Sequence, residues 1–306
     1  MDGAIWFIIV FVGLVAVVGL AATFVPFYAR WRAYQQSSYL RLDLPRQLEH
    51  AVSSRLVARE RGAIIGALVV GGAAVFGFAT GVVDGFESGV TTLFIVGAVF
   101  AGVGLGTAVA ALTGKKQVPS DQPRVARSGV ATVADYISPL ERVGAWVIVA
   151  IAMSVAVWIA FVDPGSGRLL VPTALFAVTA ALTLVLFEVA SRRIVEASQP
   201  AGSTAEMVWD DALRSSAIRD LVTAPLALGV YGTVFGVFSL ADRSVGAAAV
   251  AGYLGVGFVI AGLAATLLAT VVSRPRRYFL ARLWPNLRWS DTADSDDRAD
   301  AATDAA

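Results

Sequence analysis

Seven apolar blocks, each about as long as a bilayer crossing, leave this chain few folds to choose from. They occupy residues 5–27, 63–83, 90–112, 143–162, 169–187, 221–240 and 245–272. Roughly 20 apolar residues in helical conformation cross about 30 Å of hydrocarbon. Outer-membrane strands need only about 10 residues and alternate polar with apolar positions, which these blocks do not. The expected fold is therefore all-α: a polytopic transmembrane helical bundle with seven predicted spans. Composition agrees, because the chain is 57% hydrophobic and 15% charged, where a soluble domain carries about 25% charged residues.

The charges sort by segment. The first block follows MDGA, whose one charged side chain is Asp2, and Arg30 and Arg32 come after it. A secretory signal has the opposite charge order, so the block reads as a retained anchor with its N-terminus outside. Of the 24 Lys and Arg residues, all but Arg168 and Arg243 then fall in the segments placed inside. That asymmetry puts the C-terminus in the cytoplasm of a multi-pass cell-membrane protein. The excess of Arg over Lys, with abundant Ala, Val and Gly, suggests a GC-rich, bacterial coding sequence.

Short turns at 84–89, 163–168 and 241–244 join blocks on the outside, whereas the inside connections run to about 30 residues. Short connections force antiparallel neighbours. The organisation reads as an N-terminal anchor helix (1–28) plus three antiparallel hairpins (62–112, 143–190 and 221–272). Between them lie a cytoplasmic amphipathic segment (29–61) and two cytoplasmic connections (113–142 and 191–220). A basic aromatic juxtamembrane segment (273–289) and an acidic tail (290–306) follow. The three hairpins share this architecture without aligning residue by residue.

Leu44, Leu48, Val52 and Leu56 recur every four residues, which predicts an amphipathic helix starting near Pro45, on the headgroups or under the bundle. In the second connection, Val130, Val133, Ile137 and Leu140 form a short apolar face, and Pro139 kinks or restarts the helix. After the last block, Arg274, Arg276, Arg277, Arg282 and Arg288 alternate with aromatic and apolar residues that include Trp284 and Trp289. Arginines among tryptophans at a bilayer exit fit lipid headgroups and the interfacial belt, so Arg274, Arg276, Arg277, Trp284 and Trp289 are assigned to the membrane interface and nucleic acid is not an expected partner. The tail holds six Asp and almost nothing large to bury, which predicts disorder.

Chemistry has little to stand on. Without cysteine there is no thiol nucleophile or thiolate ligand, His50 is the one histidine, and the HExxH, GxSxG, CxxC and phosphate-loop patterns are absent. No cofactor or metal is expected; Asp84, Glu87, Asp163 and Asp242 read as turn residues. Glu188 is the one ionisable residue near a span interior, and Arg192 four residues later offers it a local pair. Glycines four apart, at 62 and 66, 77 and 81, 102 and 106, and 232 and 236, allow close helix approach and self-association. Pro172 and Pro225 are expected in first helical turns.

The stretch WDDALRSSAIRD (209–220) holds adjacent carboxylates, Asp210 and Asp211, with Arg214 and Arg219 behind them. Pairs at i,i+4 and i,i+3 explain these charges as a structural or docking element before the sixth span. The expected function is a non-enzymatic membrane component or scaffold whose partners are the lipid bilayer, a membrane or cytoplasmic protein and a second copy of the chain. One alternative is a small-molecule permease or exporter gated by Glu188. A third is a lipid-modifying enzyme using Asp210 and Asp211.

Overall fold

The computed structural model describes residues 3–80, 88–113, 131–162, 167–197, 199, 201–243 and 278–285. Among these, every regular element is a helix: α1 (Gly3–Ala22), α2 (Pro26–Leu40), α3 (Arg46–Ala79), α4 (Ser88–Thr113), α5 (Val133–Tyr136), α6 (Pro139–Val162), α7 (Gly167–Glu196), α8 (Thr204–Arg243) and α9 (Tyr278–Leu283). Five helices are long and apolar enough to cross a membrane, and a sixth candidate arises if Gly13–Ala22 and Pro26–Leu40 are counted as one broken span. The chain is thus an all-helical protein of membrane type. The predicted seventh block, Asp84, Glu87, Gly81, Val130, Asp163, Arg274, Arg276, Arg277, Trp289 and the acidic tail lie outside the described residues.

The first apolar block is not one helix. Pro26 lacks the N–H that would bond to the Ala22 carbonyl, and its ring pushes Val25 out of the helical region, to φ −84° and ψ 122°. The chain tightens first, with Phe24 N–H on the Ala21 carbonyl and Val25 N–H on the Ala22 carbonyl at 3.1 and 3.0 Å. It then restarts as α2, bent 91° from α1. Arg61 holds the elbow, donating to the Thr23 hydroxyl at 3.0 Å and the Thr23 carbonyl at 2.6 Å.

Two predicted boundaries carry no helix break. α3 runs through residue 61 and α8 through residue 220, each joining a polar connection to the span after it. The 40 residues of α8 extend about 60 Å, roughly twice the hydrocarbon thickness. Pro225 therefore lies inside α8 and not in a first turn, so the Leu221 carbonyl loses its usual N–H partner. At the other end α8 continues through Ala241–Arg243, where a turn was expected. Pro139 does start α6, after Ser138 and Glu141 have exchanged bonds: the Ser138 N–H donates to Glu141 Oε2 at 3.1 Å and the Glu141 N–H to Ser138 Oγ at 3.3 Å. Of the apolar face expected there, Ile137 is buried but Leu140 is half exposed.

Glycine sets the closest helix approach. A Cβ on Gly62 would stand 2.5 Å from the Gly106 carbonyl oxygen, and one on Gly66 would collide with the Gly102 carbonyl oxygen. Partner numbers fall along α4 as they rise along α3, so the pair is antiparallel and packs backbone on backbone. In the second layer α8 runs parallel to α6, with Gly229 against Ile148 and Gly236 against Val155. It runs antiparallel to α7, with Gly232 against Phe176 and Gly236 against Thr173. Gly97 makes the room that the Phe176 ring fills, and Phe94 and Phe235 pack on that ring at centroid distances of 5.9 and 6.3 Å. Val147, Trp158, Phe161, Leu182 and Val185 stay exposed, as side chains facing lipid do.

Candidate functional site

The polar ends of α3, α6 and α8 meet in one layer, and the first half of α8 is its axis. Val208, Trp209, Asp210, Asp211, Ala212, Ser215, Ala217 and Ile218 are all buried. Most of this half of α8 is therefore enclosed, with Leu213, Ser216 and Asp220 only partly covered. It starts with Ser203 Oγ accepting the Glu206 N–H at 3.2 Å, while Glu206 accepts the Gly202 N–H at 2.8 Å, a variant of the capping box.

Successive residues on a helix point about 100° apart, so Asp210 and Asp211 address different partners. Asp210 takes Arg55 from α3 at 2.7 Å on one oxygen and Arg214 at 3.0 Å on the other. Arg214 also donates to the Val195 and Ala197 carbonyls at 3.1 and 2.8 Å. It thereby caps the C-terminal end of α7, where a cation is favoured. The predicted Asp210–Arg214 pair forms, and it belongs to a larger joint of three helices.

Asp211 is fully buried. Its Oδ1 accepts the Tyr136 hydroxyl at 2.8 Å and the Gln199 side-chain amide at 2.6 Å, while its Oδ2 accepts the Trp284 indole N–H at 2.8 Å. These donors come from α5, the α7–α8 linker and the residue after α9. Ser215 adds a bond to the Tyr136 carbonyl at 2.8 Å, and Trp209 donates to the Asp43 carbonyl at 2.9 Å. Such bonds to a buried carboxylate are about twice as strong as neutral ones. Trp284, assigned from sequence to the interfacial belt, turns its N–H into this layer, beside the buried Phe279 and Leu280.

Arg219 faces Glu141 at 3.6 Å, Asp220 faces Arg59 at 3.0 Å, and Arg282 lies 3.7 Å from Asp135. Glu188 is bound from another helix: Arg142 grips both its oxygens at 2.9 and 2.6 Å, and Trp146 donates at 3.1 Å. Arg192, the expected local partner, is exposed. The planar fork of Arg142 matches the two oxygens of the carboxylate. His50 is exposed, and among the described residues no three His, Cys, Asp or Glu converge as metal ligands.

Sequence reasoning missed Arg55, Tyr136, Gln199, Ser215 and the inward role of Trp284. The available signal was the adjacent acid pair itself, which on a helix demands two sets of partners. The stripe of Leu44, Leu48, Val52 and Leu56 joins the same core, with Val52 and Leu56 buried, so it packs under the bundle. Comparison of the chain with protein-family models, curated proteins and solved structures finds no match in any of the three.

Proposed function

We propose that this chain is a non-enzymatic multi-pass component of the cell membrane that presents its cytoplasmic end to a membrane or cytoplasmic protein. The proposal includes seven spans, an anchor followed by three antiparallel hairpins, the N-terminus outside, the C-terminus in the cytoplasm, and self-association through small-residue helix faces. The supporting observation is what Asp211 does. A reaction centre needs a group that a substrate can reach, whereas Asp211 is fully buried and both its oxygens accept donors, from three segments in all. A docking platform needs separate segments held in one geometry, and that is what these bonds supply.

The permease reading relied on Glu188, which the Arg142 fork and Trp146 hold in a closed set of bonds. A photocrosslinking residue at exposed Arg192, in native membranes, is expected to yield one discrete protein adduct, and one at Ser166 none. Loss of the Arg192 adduct, or an adduct at Ser166 alone, would count against the scaffold. Efflux of a panel of radiolabelled organic ions from proteoliposomes is expected to match empty vesicles. Flux abolished by Glu188→Gln would establish the permease instead.

A further inference from the structure

We infer that α2 lies in the plane of the membrane interface and meets the phospholipid headgroup layer through Phe27 and Trp31. This rests on the membrane reading above and concerns how the first apolar block meets the bilayer. α1 has 20 residues, about 30 Å of helix, long enough to span the hydrocarbon without α2. α2 adds Arg30, Arg32, Gln35, Gln36, Ser37 and Ser38, a density of polar groups that hydrocarbon disfavours.

The cross-links give the lie of the helix. Tyr28 bonds to Glu60 at 2.9 Å and Arg32 also grips Glu60, whereas Tyr34 and Arg30 both reach towards Glu49, at 3.4 and 4.0 Å. If α2 lay along α3, its partners would advance with residue number. Instead residues 28 and 32 meet one end of the contact and residues 30 and 34 the other, so α2 crosses α3. Its height follows from Arg61, which ties the elbow to the last charged position before the apolar stretch of α3. That is where α3 passes from polar to apolar surroundings.

Ala33 and Leu40 are buried on the α3 side of α2. The opposite side carries Phe27 and Trp31 at helical spacing, with exposures of 77% and 48%. The Arg30 side chain is 67% exposed, and α2 has no carboxylate. Exposed aromatic rings on a helix without acidic residues suit the boundary of headgroups and acyl chains. That surface is continuous with the exposed Phe24 and Val25 at the foot of α1, which makes the bilayer α1 enters its occupant.

The absence of cysteine allows single nitroxide labels in the full-length protein. Labels at Trp31→Cys and Ser38→Cys in phospholipid vesicles would be compared with labels at exposed His50→Cys and at lipid-facing Val147→Cys. The ratio of collisions with oxygen to collisions with a water-soluble nickel complex is expected to lie several-fold above His50 and clearly below Val147. A ratio equal to that of His50 overturns the inference, as does a ratio equal to that of Val147, which would make α2 part of a span. Suppression of both collision rates would mean that a second copy or another protein covers the face, and overturns it too. If Val147 itself reads as water, the membrane reading falls, a result distinct from failure at α2 alone.

Discussion

Tyr136 donates its hydroxyl to Asp211 Oδ1 at 2.8 Å, and both side chains are fully buried. The bond ties a four-residue helix, too short to persist alone, to the longest helix in the described chain. α5 gains a second hold from its own capping box, in which Asp135 accepts both the N–H and the hydroxyl of Thr132 at 2.8 Å. A loop-borne helix is thereby fixed in the polar layer.

Asp211→Ala leaves the buried Tyr136 hydroxyl and the half-buried N–H groups of Gln199 and Trp284 without their acceptor. Leaving a polar partner in such a network unpaired costs about 1–3 kcal/mol for each group. Asp211→Asn keeps an acceptor oxygen and should cost clearly less, and Tyr136→Phe on its own about 1–3 kcal/mol. Denaturant unfolding in detergent, followed by tryptophan fluorescence, should rank them in that order. Tyr136→Phe combined with Asp211→Asn should cost less than the sum of the two.

Reversing Asp210 and Arg214 together is expected not to rescue the single reversals. An isolated i,i+4 pair would tolerate the exchange. Here an arginine at 210 would face Arg55, and an aspartate at 214 would face the Val195 and Ala197 carbonyls. Retention of monodisperse protein on size-exclusion chromatography measures the outcome, and recovery in the double variant would show that the three-helix joint does not form.

Gly66→Ala and Gly102→Ala should each force α3 and α4 apart, because the added Cβ meets backbone of the facing helix, which cannot swing aside as a side chain can. Gly72→Ala is the control, since a Cβ there meets nothing within 4 Å. The expected result is a lower melting temperature for the first two and none for the third, read by thermal unfolding in a mild detergent.

The proposed orientation can be read with single cysteines. Ser166→Cys should react with an impermeant maleimide in intact cells, whereas Ser38→Cys should react only after permeabilisation. The reverse pattern would invert the topology and move the polar layer outside. The tight split of basic residues across the predicted segments is the physical basis for the expected order.

Much of this fold was legible because the bilayer imposes it through length and polarity. The all-helical class, a helix starting at Pro139 and the amphipathic stripe from Leu44 to Leu56 all followed from local pattern. The break at Pro26 was legible in principle, since proline disfavours helix at the residue before it, but the apolar run continued across it and masked the signal. The stronger partner of Glu188 was missed for another reason. Spacing along one helix shows Arg192, four residues away, but says nothing of Arg142, which lies 46 residues earlier and arrives only when α6 packs on α7.

Sequence by itself determined that the chain is a bundle of apolar helices with its charges gathered between them, because desolvating backbone and charge is costly enough to be decided locally. Only tertiary structure decided what those charges do. Adjacent aspartates on a helix diverge by about 100°, so Asp210 was drawn to the arginines of α3 and α8, and Asp211 to Tyr136, Gln199 and Trp284. Those donors lie 12 to 75 residues from Asp211 along the chain. No local propensity links them, and it is the burial of α8 that makes their bonds to Asp211 worth forming.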